Sequence, residues 1–359
     1  MDKTKTLFCS TLCALALGVC SHGVAKITDA SALTCAPQFG PAQEYANGDQ
    51  TTVAQRAGLF IEFHQSEITG NDTLYYRFGR IGETGIVWGA TKNSGVSGSW
   101  PTVAIDKDGY VLLVIADAPS KNGSMLKYRV GKIDLNMELN QSLEWVTPDL
   151  IHWDAGYRAS IALNDNGVVV GVHEAGSLGV GLYYRVGSFN PGSGDYTVRW
   201  GEPEWGLWYD DGFNPRIALN NKNELVEVHQ VTSEDLLHYW RGTVLGNKIS
   251  WAASRRYNDN GEEPAVALLD NGVVFETHAS GIETELFVNV GVLSPSNPAL
   301  IDWNSWTVVA TSPLRDGLSY PAIAVADEED VVVTFSDQHK DRRKLFLKGV
   351  AGKIVCPSS

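Results

Sequence analysis

The chain has 359 residues, a formal net charge of −14 and only 19% charged residues, with 36 glycines, 11 tryptophans and 13 tyrosines. So acidic a surface repels phosphate backbones and argues against a nucleic-acid partner. Glycine and aromatic residues in this abundance suit many short strands joined by tight turns.

At the N-terminus, Lys3 and Lys5 precede an apolar run from Leu7 to Cys20, and Gly23-Val24-Ala25 supplies small residues for cleavage. This is the pattern of a secretory signal over residues 1–25, too short to span a bilayer as a helix. The expected mature chain is 26–359, in the secretory lumen or outside the cell, with no membrane partner. Cys9, Cys13 and Cys20 leave with the signal, so only Cys35 and Cys356 remain, one at each end. In an oxidising compartment they are expected to pair. Three sequons follow, at Asn71, Asn122 and Asn140, each in an expected loop and each a candidate glycosylation site.

From about residue 50 onward one pattern recurs: P-x-[IV]-A-[LIV], a turn, a β-branched run often ending in E-x-H, then L-x-Y-R-V-G, then [IVL]-x-W. Pro215 to Leu219, Leu225 to His229, Leu237 to Gly242 and Ile249-Ser250-Trp251 show it well. The first-strand alanines Ala54, Ala104, Ala162, Ala218, Ala267 and Ala324 mark six units at spacings of 49 to 58 residues. Four short strands at this period make a propeller blade. The expected fold is all-β, a single six-bladed propeller of four-stranded blades over 26–359. Alanine suits inner strands that converge on an axis, and Trp88, Trp145, Trp200, Trp251 and Trp303 suit the widening gap between blades. The sixth unit ends early. Phe39-Gly40 followed by Tyr45 repeats the offset of Trp251-Ala252 and Tyr257, so the N-terminal segment is expected to complete that blade, bringing Cys35 and Cys356 to the seam.

Residues that repeat are read as scaffold. His64, His173, His229 and His278 occupy one position per blade, Glu62, Glu227 and Glu276 stand two residues before three of them, and Arg77, Arg129 and Arg185 recur on the third strand. A ring of single histidines is not a metal cluster, and neither metal nor cofactor is expected. The position just before each inner strand varies instead: Trp100, Arg158, Asn214, Glu263 and Tyr320, with Tyr157 and Phe213 adjacent. Lying at the mouth of the axis, these residues form a candidate pocket for a flat, partly polar ligand. No G-x-S-x-G, H-E-x-x-H, P-loop or S-x-D-x-G-x-x-W box occurs.

The repeats Pro215–His229 and Leu182–Gly187 resemble those of secreted lectin-like propellers, including six-bladed fucose-binding ones. The whole layout of signal, sequons, six blades and one terminal cysteine pair also resembles the secreted fungal propellers that act as hetero-Diels–Alderases in tropolonic sesquiterpenoid pathways. That resemblance implies a cofactor-free cycloaddition between a tropolone-derived o-quinone methide and a macrocyclic terpene alkene such as a humulene, and it assigns no catalytic residue. Placed on these residues, Arg158 or His278 would be the catalytic donor, and Trp100, Tyr157, Phe213, Asn214, Glu263 and Tyr320 would bind an apolar or aromatic substrate. The alternative is a carbohydrate-binding lectin with one glycan site per blade, whose pocket residues should then recur.

Overall fold

The computed structural model describes residues 36–66, 71–117, 124–176, 180–203, 205–231, 236–258, 260–304, 306–314, 317–326, 330–338 and 345–355. These form six antiparallel sheets, and no α-helix occurs among the described residues. In blade one, Asp49–Arg56, Leu59–Gln65 and Thr73–Gly82 pair in sequence from the axis outward. The outer edge consists of two short strands, Gly85–Trp88 and Lys92–Ser97, which pair with opposite halves of the third strand. Each blade is therefore four strands wide, with its fourth strand broken in two. The sequence pattern located only the half that carries the tryptophan.

Six apolar clusters fill the six gaps between blades, and one of them joins Val53 and Phe60 of blade one to Ala322, Ala324 and Val332 of blade six. The ring is thus closed. Second strands are covered on both faces, which is why Tyr110–Ala116 reads as a continuous apolar run. The repeated tyrosine, arginine, glycine and tryptophan each have a mechanical role. Tyr76, Tyr128, Tyr184 and Tyr239 each accept, at the hydroxyl, an amide N–H from the outer strand region of the following blade, at Leu143, Val198, Ile249 and Ile301. Arg77 donates to the Tyr45 carbonyl, Arg185 to those of Trp153 and Gly201, and Arg241 to that of Ser294. Arg77 and Arg185 thus bond to a neighbouring blade as expected, whereas Arg129 donates to the Thr147 and Pro148 carbonyls of its own blade.

The glycine that ends Y-R-V-G seats the tryptophan of its own blade. A Cβ on Gly79 would lie 2.6 Å from the Trp88 ring, and one on Gly291 would lie 2.8 Å from that of Trp303. The tryptophan then stacks on an aromatic residue of the preceding blade: Tyr209 on Trp251 at 5.0 Å, Tyr257 on Trp303 at 5.4 Å. Gly79→Ala should therefore displace Trp88 and lower stability by about 1–3 kcal/mol, the usual effect of overpacking, as read by denaturant unfolding.

Blade six is completed by the N-terminal segment, as its Phe-Gly…Tyr spacing predicts. Ala36–Phe39 pairs with Leu345–Val355, Phe39 lies opposite Gly352, and a Cβ there would sit 2.5 Å from the phenyl ring. Phe39 thus fills the tryptophan seat, and Tyr45 packs against Trp88 of blade one with the rings tilted, centroids 4.8 Å apart. Cys35 and Cys356 lie outside the described residues. Their chain neighbours Ala36 and Val355 are direct register partners.

Candidate functional site

Every inner strand begins with a β-bulge. The register shifts between Asp49 and Thr52, Ser99 and Thr102, Tyr157 and Ser160, Phe213 and Arg216, Glu262 and Ala265, and Ser319 and Ala322. Inside each bulge one residue turns left-handed: Gln50, Trp100, Arg158, Asn214, Glu263 and Tyr320, with φ from 42° to 52°. These six account for most of the nine described non-glycine residues with positive φ. Such a conformation carries roughly 1–3 kcal/mol of strain per residue and persists only where the surroundings enforce it. It sets six residues at equivalent places, one at the start of each inner strand around the axis.

Five of the six are the rim residues identified by their variability. The sixth, Gln50, was missed, although it stands four residues before Ala54 as each of the others stands before its own alanine. Side chains of one blade clasp the strained backbone of the next. Gln50 Oε1 accepts from the Trp100 N–H at 2.6 Å, Glu174 Oε1 from that of Asn214 at 2.7 Å, and Glu263 Oε2 from that of Tyr320 at 2.6 Å. Arg158 Nη1 lies 3.3 Å from Glu174 Oε1, and its guanidinium sits over the Trp100 ring at 5.5 Å. Tyr157 meets Trp100 edge to face at 5.9 Å.

The mouth is more charged than the sequence suggested. Burial pushes the Glu263 carboxyl up, against the Tyr320 amide and the fields of Arg216 and Arg158, which pull it down. Burial likewise pushes Asp49 up. The Tyr320 phenol is raised by burial first and by Glu263 second, which keeps it protonated. Asp49, Arg158, Glu174, Arg216, Glu263 and Tyr320 thus come together from five blades. An acid that holds its proton more tightly when folded adds stability below the ordinary carboxylate range, and that stability is lost as pH rises through the raised value. The thermal midpoint should therefore fall as pH climbs from about 4 towards neutrality. Glu263→Gln, which keeps an acceptor for the Tyr320 amide, should flatten that slope.

Two of the expected site residues stand apart. His278 is 1% exposed; its Nδ1 faces both Glu276 oxygens at 3.0 and 3.1 Å, and its Nε2 receives the Asn258 amide at 2.7 Å. Both ring nitrogens are consumed, one by Glu276 of blade five and one by Asn258 of blade four, which leaves neither for a substrate and corrects its place as a donor. Phe213 is half-buried in register with Gln230, and no described ring contact joins it to the others. Glu62, Glu227 and Glu276 are fully buried. Tyr209 and Tyr257 of preceding blades donate to the latter two, and Thr51 to the first, so the carboxylates serve the framework. Among the described residues no group of three His, Cys, Asp or Glu is placed to hold a metal.

Arg216 was also missed. It lines the axial channel, a cavity of about 80 Å³, at the variable position inside P-x-[IV]-A. The equivalent residues are Thr52, Thr102, Ser160, Ala265 and Ala322, so one arginine among five small side chains was the available signal.

No protein-family model matches the chain, and no curated protein does. Solved structures share its fold. A protein of unknown function from Dyadobacter fermentans is 12% identical over 92% of this chain and 99% of its own, with a TM-score of 0.58. A neuraminidase-like protein of a flat-faced bat strain is 8% identical over 91% and 95%, at 0.55. The GH93 α-L-arabinofuranosidase of Fusarium graminearum, solved with arabinobiose, is 11% identical over 90% and 97%, at 0.50. The chain is a six-bladed β-propeller with glycosidase-like structural neighbours.

Proposed function

We propose that the axial mouth is the single active site of a secreted pericyclase, a cofactor-independent hetero-Diels–Alderase joining a tropolone-derived o-quinone methide to a terpene alkene. One observation carries this reading: six structurally equivalent, strained positions hold six different side chains. A lectin with one glycan site per blade would repeat its polar residues, whereas one asymmetric ligand calls for a different group from each blade. Cycloaddition needs two partners held close, which lowers the barrier by several kcal/mol, and a donor that polarises the quinone-methide oxygen. Trp100 and Tyr157 supply an aromatic wall, Tyr320 a protonated phenol, and Arg158 a guanidinium whose described bond uses only Nη1. The chemistry itself rests on the likeness in layout to the fungal enzymes.

The purified mature chain, given a hydroxymethyl-tropolone precursor and a humulene, should form one stereoisomer faster than buffer does. Product at the buffer rate, as a stereochemical mixture, would overturn the reading.

A second reading is favoured by the three carboxyls Asp49, Glu174 and Glu263 at the same mouth, two of them raised by burial as a general acid requires. Its test is release of nitrophenol from aryl glycosides, arabinofuranosides first. Hydrolysis lost in Glu263→Gln would replace cycloaddition by glycoside cleavage. The export reading is proposed as well. Asn140 lies in an exposed loop and Asn71 is half-exposed, as glycan acceptors require, while Asn122 lies outside the described residues.

A further inference from the structure

The five other blades fill the Arg216 position with threonine, serine or alanine, so closing the channel does not require an arginine. Its guanidinium makes one described hydrogen bond, from Nη1 to the carbonyl of the preceding Pro215 at 3.2 Å. No carboxylate stands within ion-pair distance of it among the described residues. Arg158 differs, because Glu174 already faces it. Arg216 is half-buried at the channel wall, and its planar fork matches a pair of oxygens on one ligand. Glu263, Arg158, Glu174 and Tyr320 lie close enough for their fields to reach it, so Arg216 belongs to the same group of charges at the axis.

We infer that Arg216 anchors an anionic group of the axial ligand, and that this ligand is a planar anion with paired oxygens, such as a carboxylate, an ionised tropolone or an enolate. The inference deepens the reading of the mouth as one ligand site and rests on it. Arg158 keeps its Glu174 contact through Nη1 and donates to the reacting oxygen from its remaining nitrogens, whereas Arg216 selects for charge.

The test is calorimetric titration of the mature chain with benzoate and with its neutral isostere benzamide, at millimolar concentrations. Wild type should bind benzoate about tenfold or more tightly than benzamide. Arg216→Ala and the less disruptive Arg216→Gln should both lose that preference while binding benzamide as wild type does. Trp100→Ala should weaken both probes. Equal affinity for the two probes in wild type, or a preference that survives both Arg216 variants, would overturn the anchor. If Trp100→Ala still weakens both in that case, the axial site stands without it. If neither probe binds, or Trp100→Ala changes nothing, anchor and site fall together.

Discussion

Arg158→Ala is expected to slow turnover about a hundredfold or more while leaving the fold intact. Removal of a preorganised donor aimed at developing charge typically raises the barrier by about 2.7–4 kcal/mol. The fold should survive for two reasons. Arg158 is a third exposed and makes no other described hydrogen bond, so the contact with the buried Glu174 is the main framework interaction it gives up. Glu174 also keeps the Asn214 amide as a partner. Arg158→Lys should recover little, since an ammonium cannot keep both the Glu174 contact and a fork-like donation to the ligand. Steady-state kinetics beside a thermal melt would separate the effects. Wild-type turnover in Arg158→Ala would remove this residue from the chemistry, and a collapsed melt would make it structural.

The second large effect concerns the seam. Cys35→Ser should lower stability by roughly 2–5 kcal/mol, the usual loss when a native disulfide of a secreted domain is removed. Ala36 and Val355 are direct partners in an antiparallel pair, and facing positions in such a pair lie at separations that a disulfide spans. A bond between Cys35 and Cys356 would fasten the strand that fills the last tryptophan seat, across almost the whole mature chain. Non-reducing peptide mapping that recovers both as free thiols, or a Cys35→Ser variant as stable as wild type, would contradict it.

The fold was legible because each blade must solve the same packing problem with the same residues. Glycine under tryptophan, tyrosine to the next blade and alanine at the axis are all visible as spacing. Even the closure of blade six was visible, since Phe39 must occupy the seat that Trp251 occupies in blade four. The site was half legible. Variability singled out Trp100, Arg158, Asn214, Glu263 and Tyr320, but not their left-handed backbone, because no glycine marks it. Nor could spacing show the clasping of one blade by the previous one, which brings Glu174 to the mouth from a second strand. Arg216 was hidden inside the repeat signature, where a motif records only that the position varies. His278 misled for the opposite reason. Its residue type suggests chemistry, while its partners Glu276 and Asn258, one two residues away and one in the strand preceding its blade, leave it none.

The central claim is one asymmetric site per propeller, at the axial mouth. Its most direct test is the stoichiometry of ligand binding by calorimetry, repeated in Trp100→Ala and Arg158→Ala. The account predicts one ligand per chain, with affinity reduced in both variants. Several equivalent sites per chain, unaffected by either substitution, would contradict it and place recognition at the blades instead.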